Sequence, residues 1–387
     1  MGRPWSRRGL SFLGAALLLA GPEVAVAEPL EAEPRAGDEV VRPPLAAEPR
    51  AEPPWPQIAA VLPGFFVHGS GTWLQGRTLT TERLLLLEAS ALLAITVGGL
   101  VIYETGAARD YAGAATLTAA AGVGAFGASF LANVYATAAP PAGWGEPQTR
   151  LPWLVAGLGY TFVDEVQFDY RHLATTRLDG RLGPWHLLLE AAQAPGAQNS
   201  WLELQAGYRV LGPRATDRLA PDGSYLEPTV GFSRHGFGED GFVSRVLAFE
   251  LEGRLDSQRL LPDVRGAFFQ ASAGLARQWV AYDVPGSDPT DSAGMLLLHV
   301  GFGLYLGRRG AGPLGALSGA ELELYYDHRR DGFSGGIKTV GATSGFAGHC
   351  GLVAEWFFSP AWGVRALGEI GSGRVLGLTA LMRMGAG

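Results

Sequence analysis

From Leu151 to Met384 the chain alternates apolar and polar residues with a period of two, and no helical pattern interrupts it. Such alternation puts successive side chains on opposite faces of an extended strand. Leu247, Phe249, Leu251 and Leu255 share one face of their run, and Glu250, Glu252, Arg254 and Asp256 share the other. Leu202, Leu204, Ala206 and Tyr208 repeat the pattern, as do Leu296 to Leu306 at even positions and Ala320, Leu322, Leu324 and Tyr326. Asp179-Gly180, Pro195-Gly196, Asp222-Gly223, Pro285-Gly286 and Asp331-Gly332 are turn signals between the runs.

The pattern predicts about twelve strands, at 151–163, 165–177, 182–194, 200–212, 224–235, 243–258, 266–282, 294–308, 318–331, 345–358, 361–372 and 374–384. At roughly 10 to 14 residues each they exceed the five or six usual in soluble sheets and fit a tilted bilayer crossing. Trp153, Trp185, Trp201, Trp279, Trp356, Phe357, Phe358 and Trp362 gather near the strand ends, as an interfacial girdle would. In lipid every backbone polar group needs a protein partner, and only a closed sheet has no edge. The expected fold is therefore mainly β: an antiparallel transmembrane β-barrel at 151–384. The pattern resembles that of bacterial outer-membrane, porin-like barrels, which places the chain in a Gram-negative outer membrane. Such barrels typically finish on an aromatic residue, and this chain departs from that with Met384-Gly-Ala-Gly387.

Composition agrees. Charged residues are 17% and hydrophobic ones 47%, the middling balance of strands with one polar face. A net charge of -7 argues against a nucleic-acid binder, which usually shows a basic patch. Cys350 is the single cysteine, so neither an intrachain disulfide nor a CxxC site can form.

The first 27 residues read as a secretory signal peptide: Arg3, Arg7 and Arg8, an apolar run from Leu10 to Ala20, then Ala25-Val26-Ala27. Residues 28–56 hold eight prolines, seven acids and three arginines and form a disordered Pro/Ala/Glu linker. Residues 57–140 form an apolar helical hairpin ahead of the barrel. Leu84 to Tyr103 has the length of a bilayer-spanning helix and one acid, Glu88. Tyr111 to Ala136 is rich in Ala and Gly, with Gly106-Ala-Ala-Arg109-Asp110 as the turn. Leu62-Pro-Gly64-Phe-Phe-Val-His68-Gly-Ser-Gly71-Thr-Trp73 resembles the PGxGxxxxG-type element that precedes small membrane-associated hairpins in bacterial envelope proteins. That resemblance implies no reaction. The hairpin sets a conflict, because an apolar helix tends to stop in the inner membrane whereas a barrel must travel on.

No HExxH or GxxxxGK[ST] motif occurs, and no cofactor and no metal are expected. The most suggestive stretch for catalysis is Tyr325-Tyr-Asp327-His328-Arg-Arg-Asp331-Gly-Phe-Ser334, where Asp327, His328 and Ser334 could serve a hydrolase at the barrel rim; Ser233-Arg-His235-Gly-Phe-Gly-Glu-Asp240 is similar and reads as a loop. Strand parity turns Glu203, Arg209, Glu250, Glu252, Arg254, Glu321 and Glu323 toward the lumen. Three readings stay open: a narrow pore for small polar solutes or an envelope scaffold; an outer-membrane lipid-modifying hydrolase; and a soluble periplasmic β-sandwich anchored in the inner membrane by the hairpin. The expected partners are membrane lipid, the outer-membrane insertion machinery and an envelope protein, with no nucleic acid.

Overall fold

The computed structural model describes residues 54–106, 109–148, 151–165, 171–196, 198–214, 222–237, 241–282, 290–307, 317, 319–328, 331–332, 336–337 and 348–385. The signal segment, most of the Pro-rich linker, Pro285-Gly286 and Ser334 lie outside them. Twelve strands close into one antiparallel barrel. They are β1 (Leu154–Asp164), β2 (His172–Leu182), β3 (Trp185–Gln193), β4 (Asn199–Tyr208), β5 (Tyr225–Phe237) and β6 (Phe242–Asp256). The circle continues with β7 (Ala267–Tyr282), β8 (Thr290–Leu306), β9 (Ala320–Asp327), β10 (His349–Trp356), β11 (Trp362–Ile370) and β12 (Arg374–Met384). Each strand pairs with its sequence neighbours, and β1 meets β12 from Leu154↔Met384 to Asp164↔Arg374. Both ends of the barrel sequence therefore lie at one rim, here called proximal; the rim beyond Asp164 is distal.

Period two sorts the side chains. Leu158, Leu187, Leu275, Leu376 and Leu378 face outward and are more than half exposed, with no protein layer over them. That is the surface a bilayer covers. Trp153, Trp185 and Trp362 are half exposed at the proximal rim, and Trp185 meets Tyr208 edge-on at 5.0 Å. Two of the expected girdle residues turn inward instead: Trp201 packs inside the barrel and Phe357 is buried under Arg383. A twelve-strand interior is narrow, and this accounts for much of the glycine. The Glu227 carboxylate occupies the space a Cβ on Gly207 would need, and the Glu323 carboxylate does the same at Gly301.

One strand differs from expectation. The second runs 172–182, not 165–177, so Asp179-Gly180 sits inside it and the turn falls at Gly183-Pro184. Gly183 takes a left-handed φ of 58° there, while Asp179 keeps a lumen partner in His186. Asp331-Gly332 pairs with Gly336–Ile337 in a small ribbon apart from the barrel.

Ahead of the barrel come α1 (Trp55–Val61), a 3-10 turn at Pro63–Phe65, α2 (Ser70–Leu74), α3 (Thr78–Thr105) and α4 (Arg109–Ala138). Arg109 and Asp110 thus belong to the second long helix, and the first ends on Gly106 in the left-handed region. Gly98 and Gly122 set the α3–α4 contact: a Cβ on Gly98 would come within 2.6 Å of Ala115 O, and one on Gly122 within 2.7 Å of Ala91 O. Glu88, the lone acid of the Leu84–Tyr103 stretch, is buried and accepts the His68 backbone N–H at 2.8 Å. His68 Nδ1 in turn lies 3.0 Å from Ser129 Oγ on α4. The short helices are therefore pinned across the hairpin.

The hairpin lies against the outer wall of the barrel. Gly124 faces Val300 of β8 so closely that a Cβ would come within 2.7 Å, and Gly113 faces Leu296. Ala128, Ala132 and Tyr135 bury Phe302, which would otherwise face outward like its neighbours on β8. Near the proximal rim Arg83 donates to Leu260 O at 2.6 Å and Thr80 to Asp263 at 3.0 Å.

Gly124→Leu should push α4 off β8, since overpacking a fitted contact costs about 1–3 kcal/mol. Limited proteolysis should then release the hairpin while the barrel keeps its boiling-dependent gel shift. Loss of the gel shift itself would contradict a hairpin that is only an outer layer.

Candidate functional site

The polar faces of the strands enclose a cavity of about 630 Å³. Among the described residues nine carboxylates line it, against five arginines and three histidines. Glu203, Arg209, Glu252, Arg254, Glu321 and Glu323 are on its wall; Glu250 shares their side of β6 and accepts from Ser272 Oγ at 3.0 Å.

These charges form three linked groups. Near the proximal rim His186 bridges Asp179 (3.1 Å) and Glu227 (2.7 Å), and Glu227 also takes Arg209 Nε at 2.9 Å. Glu227 and Arg209 are buried, at 1% and 5% exposure. Arg177 holds Glu190 and Asp179 on the same side. Across the lumen Arg254 pairs with Glu321 at 2.9 Å and lies 3.9 Å over the Phe268 ring, while Tyr225 donates to Glu252. Higher up, His299 sits 3.2 Å from Glu323 and 3.5 Å from Asp327, and Glu369 receives Tyr325 OH at 2.5 Å and faces His349 at 3.4 Å. Asp179, His186 and His299 escaped the sequence reading. Unbroken odd-position parity through Arg177, Asp179 and Arg181 was the signal for the first of them.

Toward the distal rim the described lining turns apolar. Val163, Leu173, Ala192, Ala194, Phe237 and Val375 point inward there and bury one another, with Trp201 and Leu367 against them. Val246, Ala248, Ala276, Met295 and Leu297 make a second apolar group on the facing wall. His235 is buried and stacks on Phe237 at 3.7 Å. The first group is the apolar collar, and the second stands apart from it, next to the buried Ser244–Gln278 hydrogen bond. Glu165 follows two residues beyond Val163, 6% exposed, with neither carboxylate oxygen hydrogen-bonded. Burial pushes its carboxyl up to about 7.

The connection from α4 to β1 crosses the proximal opening. Gly143 abuts Arg265 O ahead of β7, and Gly145 abuts the backbone of Tyr305 on β8. Pro147 approaches Gly223, and Gln148 Oε1 accepts from Arg383 Nη1 of β12 at 3.1 Å. Pro147 and Gln148 line the cavity floor.

Of the hydrolase candidates Ser334 lies outside the described residues, and Asp327 and His328 can be placed. Asp327 faces the lumen and His299, whereas the next residue, His328, pairs with Tyr326 OH at 2.7 Å on the other side of the wall. Adjacent strand residues point to opposite faces, so the two cannot act as one acid–base pair. Among the described residues no group of His, Cys, Asp or Glu is arranged to hold a metal ion.

Glu227→Ala should strand buried Arg209 without its carboxylate, leave His186 with Asp179 alone, and cost about 3–5 kcal/mol. The midpoint of the heat-induced gel shift should fall clearly; an unchanged midpoint would mean that the network contributes nothing.

No family model matches the sequence, and no curated protein matches it. Among solved structures the chain is similar to the KdgM porin, at 10% identity and a TM-score of 0.35, covering 60% of this chain and 99% of that one. It is similar to the translocator domain of the autotransporter NalP from Neisseria meningitidis, at 14% identity, a TM-score of 0.34 and coverage of 60% and 88%. It is also similar to outer membrane phospholipase A from Escherichia coli, at 12% identity, a TM-score of 0.32 and coverage of 62% and 93%.

Proposed function

We propose that the protein is a narrow outer-membrane pore for small polar solutes, preferring cations, whose resting state is shut at the distal end. The polar cavity of about 630 Å³ whose lining turns apolar at the distal collar carries this reading. The outward leucines give the wall a lipid-facing surface, and the hairpin lies along that same wall. A stalk in a different membrane would have no such contact, so hairpin and barrel share one bilayer.

Nine lining carboxylates against five arginines and three carboxylate-paired histidines leave an excess of one acid even with every histidine charged. Low-dielectric walls focus that potential and concentrate cations over anions. An apolar constriction blocks ions by dewetting, without filling the path. Passage then requires the collar to take up water.

Three outcomes test this in planar bilayers. Wild-type openings should be rare, with a reversal potential displaced toward that of the cation in a salt gradient. Glu252→Gln with Glu321→Gln should move the reversal potential back toward zero. Val163→Ser with Leu173→Ser should multiply the open time several-fold; a silent collar variant whose barrel still shifts on boiling would contradict the pore.

Glu165 adds a pH dependence. Its folded-state value of about 7, against an ordinary 4.5, means the shut state binds its proton more tightly than a hydrated one. The stabilisation is complete below 4.5 and is lost as pH rises through 7. Open probability should therefore climb across that window in wild type and stay flat in Glu165→Gln. Equal slopes in both would remove Glu165 from the account.

A further inference from the structure

The outer wall of β5, β6 and β7 carries a feature the pore does not use. Below, the wall is apolar: Val230, Phe232, Phe249, Leu251 and Leu275 are all exposed. Toward the distal rim the same outward rows bring Arg234, Arg245 and Arg277 together, each exposed. Arg234 is directly opposite Arg245 in register, and Arg277 is opposite Leu247, one outward position from Arg245. Like charges placed opposite each other across a strand pair are destabilising.

Among the described residues no carboxylate offsets the repulsion. Among the described residues Arg234 and Arg245 have no hydrogen-bond or ion-pair partner, and Arg277 donates to Ser292. The outward positions of these three strands hold no carboxylate. Elsewhere on the distal rim the arrangement differs, because outward Arg374 is opposite Asp164 in the β1–β12 register.

Height identifies the counter-charge. Leu255 to Arg245 spans ten residues on β6. At about 3.3 Å per residue and a tilt of about 40° that is roughly 25 Å, the height of a barrel's apolar band. The guanidiniums thus stand at the distal headgroup level, beside Trp279, directly above a wall suited to acyl chains.

We infer that Arg234, Arg245 and Arg277 form a binding site for a phosphate-bearing lipid of the distal leaflet, its phosphoryl groups held by the arginines and its chains laid on the wall below. Guanidinium forks match phosphate oxygens bidentately. The inference rests on the membrane placement proposed above.

The test uses the full-length protein in detergent, with native mass spectrometry as the readout. Three probes are compared: lipid A (a glucosamine disaccharide lipid with two phosphates), the same lipid dephosphorylated, and inorganic phosphate. Wild type should retain lipid A, hold the dephosphorylated lipid at least tenfold less, and not be competed by inorganic phosphate at equal concentration. The variant Arg234→Gln/Arg245→Gln/Arg277→Gln should lose lipid A at least tenfold, while Arg374→Gln should retain it. If the triple variant does not fold, Arg245→Glu alone should show the loss. Equal retention by a folded variant, equal binding of the dephosphorylated lipid, or displacement by inorganic phosphate would each overturn the site. Fractionation separates the two readings. Outer-membrane protein without selective lipid binding overturns the site alone, whereas inner-membrane protein overturns the membrane placement and the site with it.

Discussion

The seam between β1 and β12 is the constraint on which the rest depends. Eleven residue pairs join the first strand to the last, so no strand is left with an unpaired edge. Hydrocarbon offers no hydrogen bonds to backbone, and an open edge there would leave a row of polar groups unsatisfied. Closure also fixes what lies on each side. Once twelve strands meet in a ring, one row of every strand faces lipid and the other must fit a narrow interior.

The interior is solved by pairing large with small. Glu227 fits because Gly207 faces it, and Glu323 because Gly301 does. The charges that remain are paired across strands, as in Asp179–His186–Glu227–Arg209 and Arg254–Glu321. Polar and apolar contents are also separated by height. The ion pairs occupy the proximal and middle levels, the collar occupies the distal level, and the Gly143–Gln148 connection passes beneath. A solute path through such a barrel is set by the collar more than by the charges.

Strand number and facing were legible because period two survives in every run, as in Leu202/Glu203 and Phe249/Glu250. The second strand was misplaced because Asp179-Gly180 has turn composition, although its carboxylate serves a partly buried histidine in the lumen. The collar was illegible for a different reason. Val163, Leu173 and Phe237 occupy inward positions where parity leads one to expect polar groups, and only the closed ring shows that they converge. Trp201 fell to the same ambiguity. The hairpin was legible as two apolar helices, but its docking on β8 rests on Gly113 and Gly124, whose lack of a side chain marks a close contact without naming the partner.

The central claim is that one face of each strand meets water and the other meets lipid. The direct measurement is thiol reactivity along β4, in protein reconstituted in liposomes with Cys350 replaced by serine. Single cysteines at Leu202, Glu203, Leu204 and Gln205 would be probed with a small hydrophilic thiol reagent. The account predicts alternation: positions 203 and 205 react, while 202 and 204 are protected until detergent replaces the bilayer. Equal reactivity of all four in liposomes would mean that the outer wall faces water and that the barrel does not span a membrane.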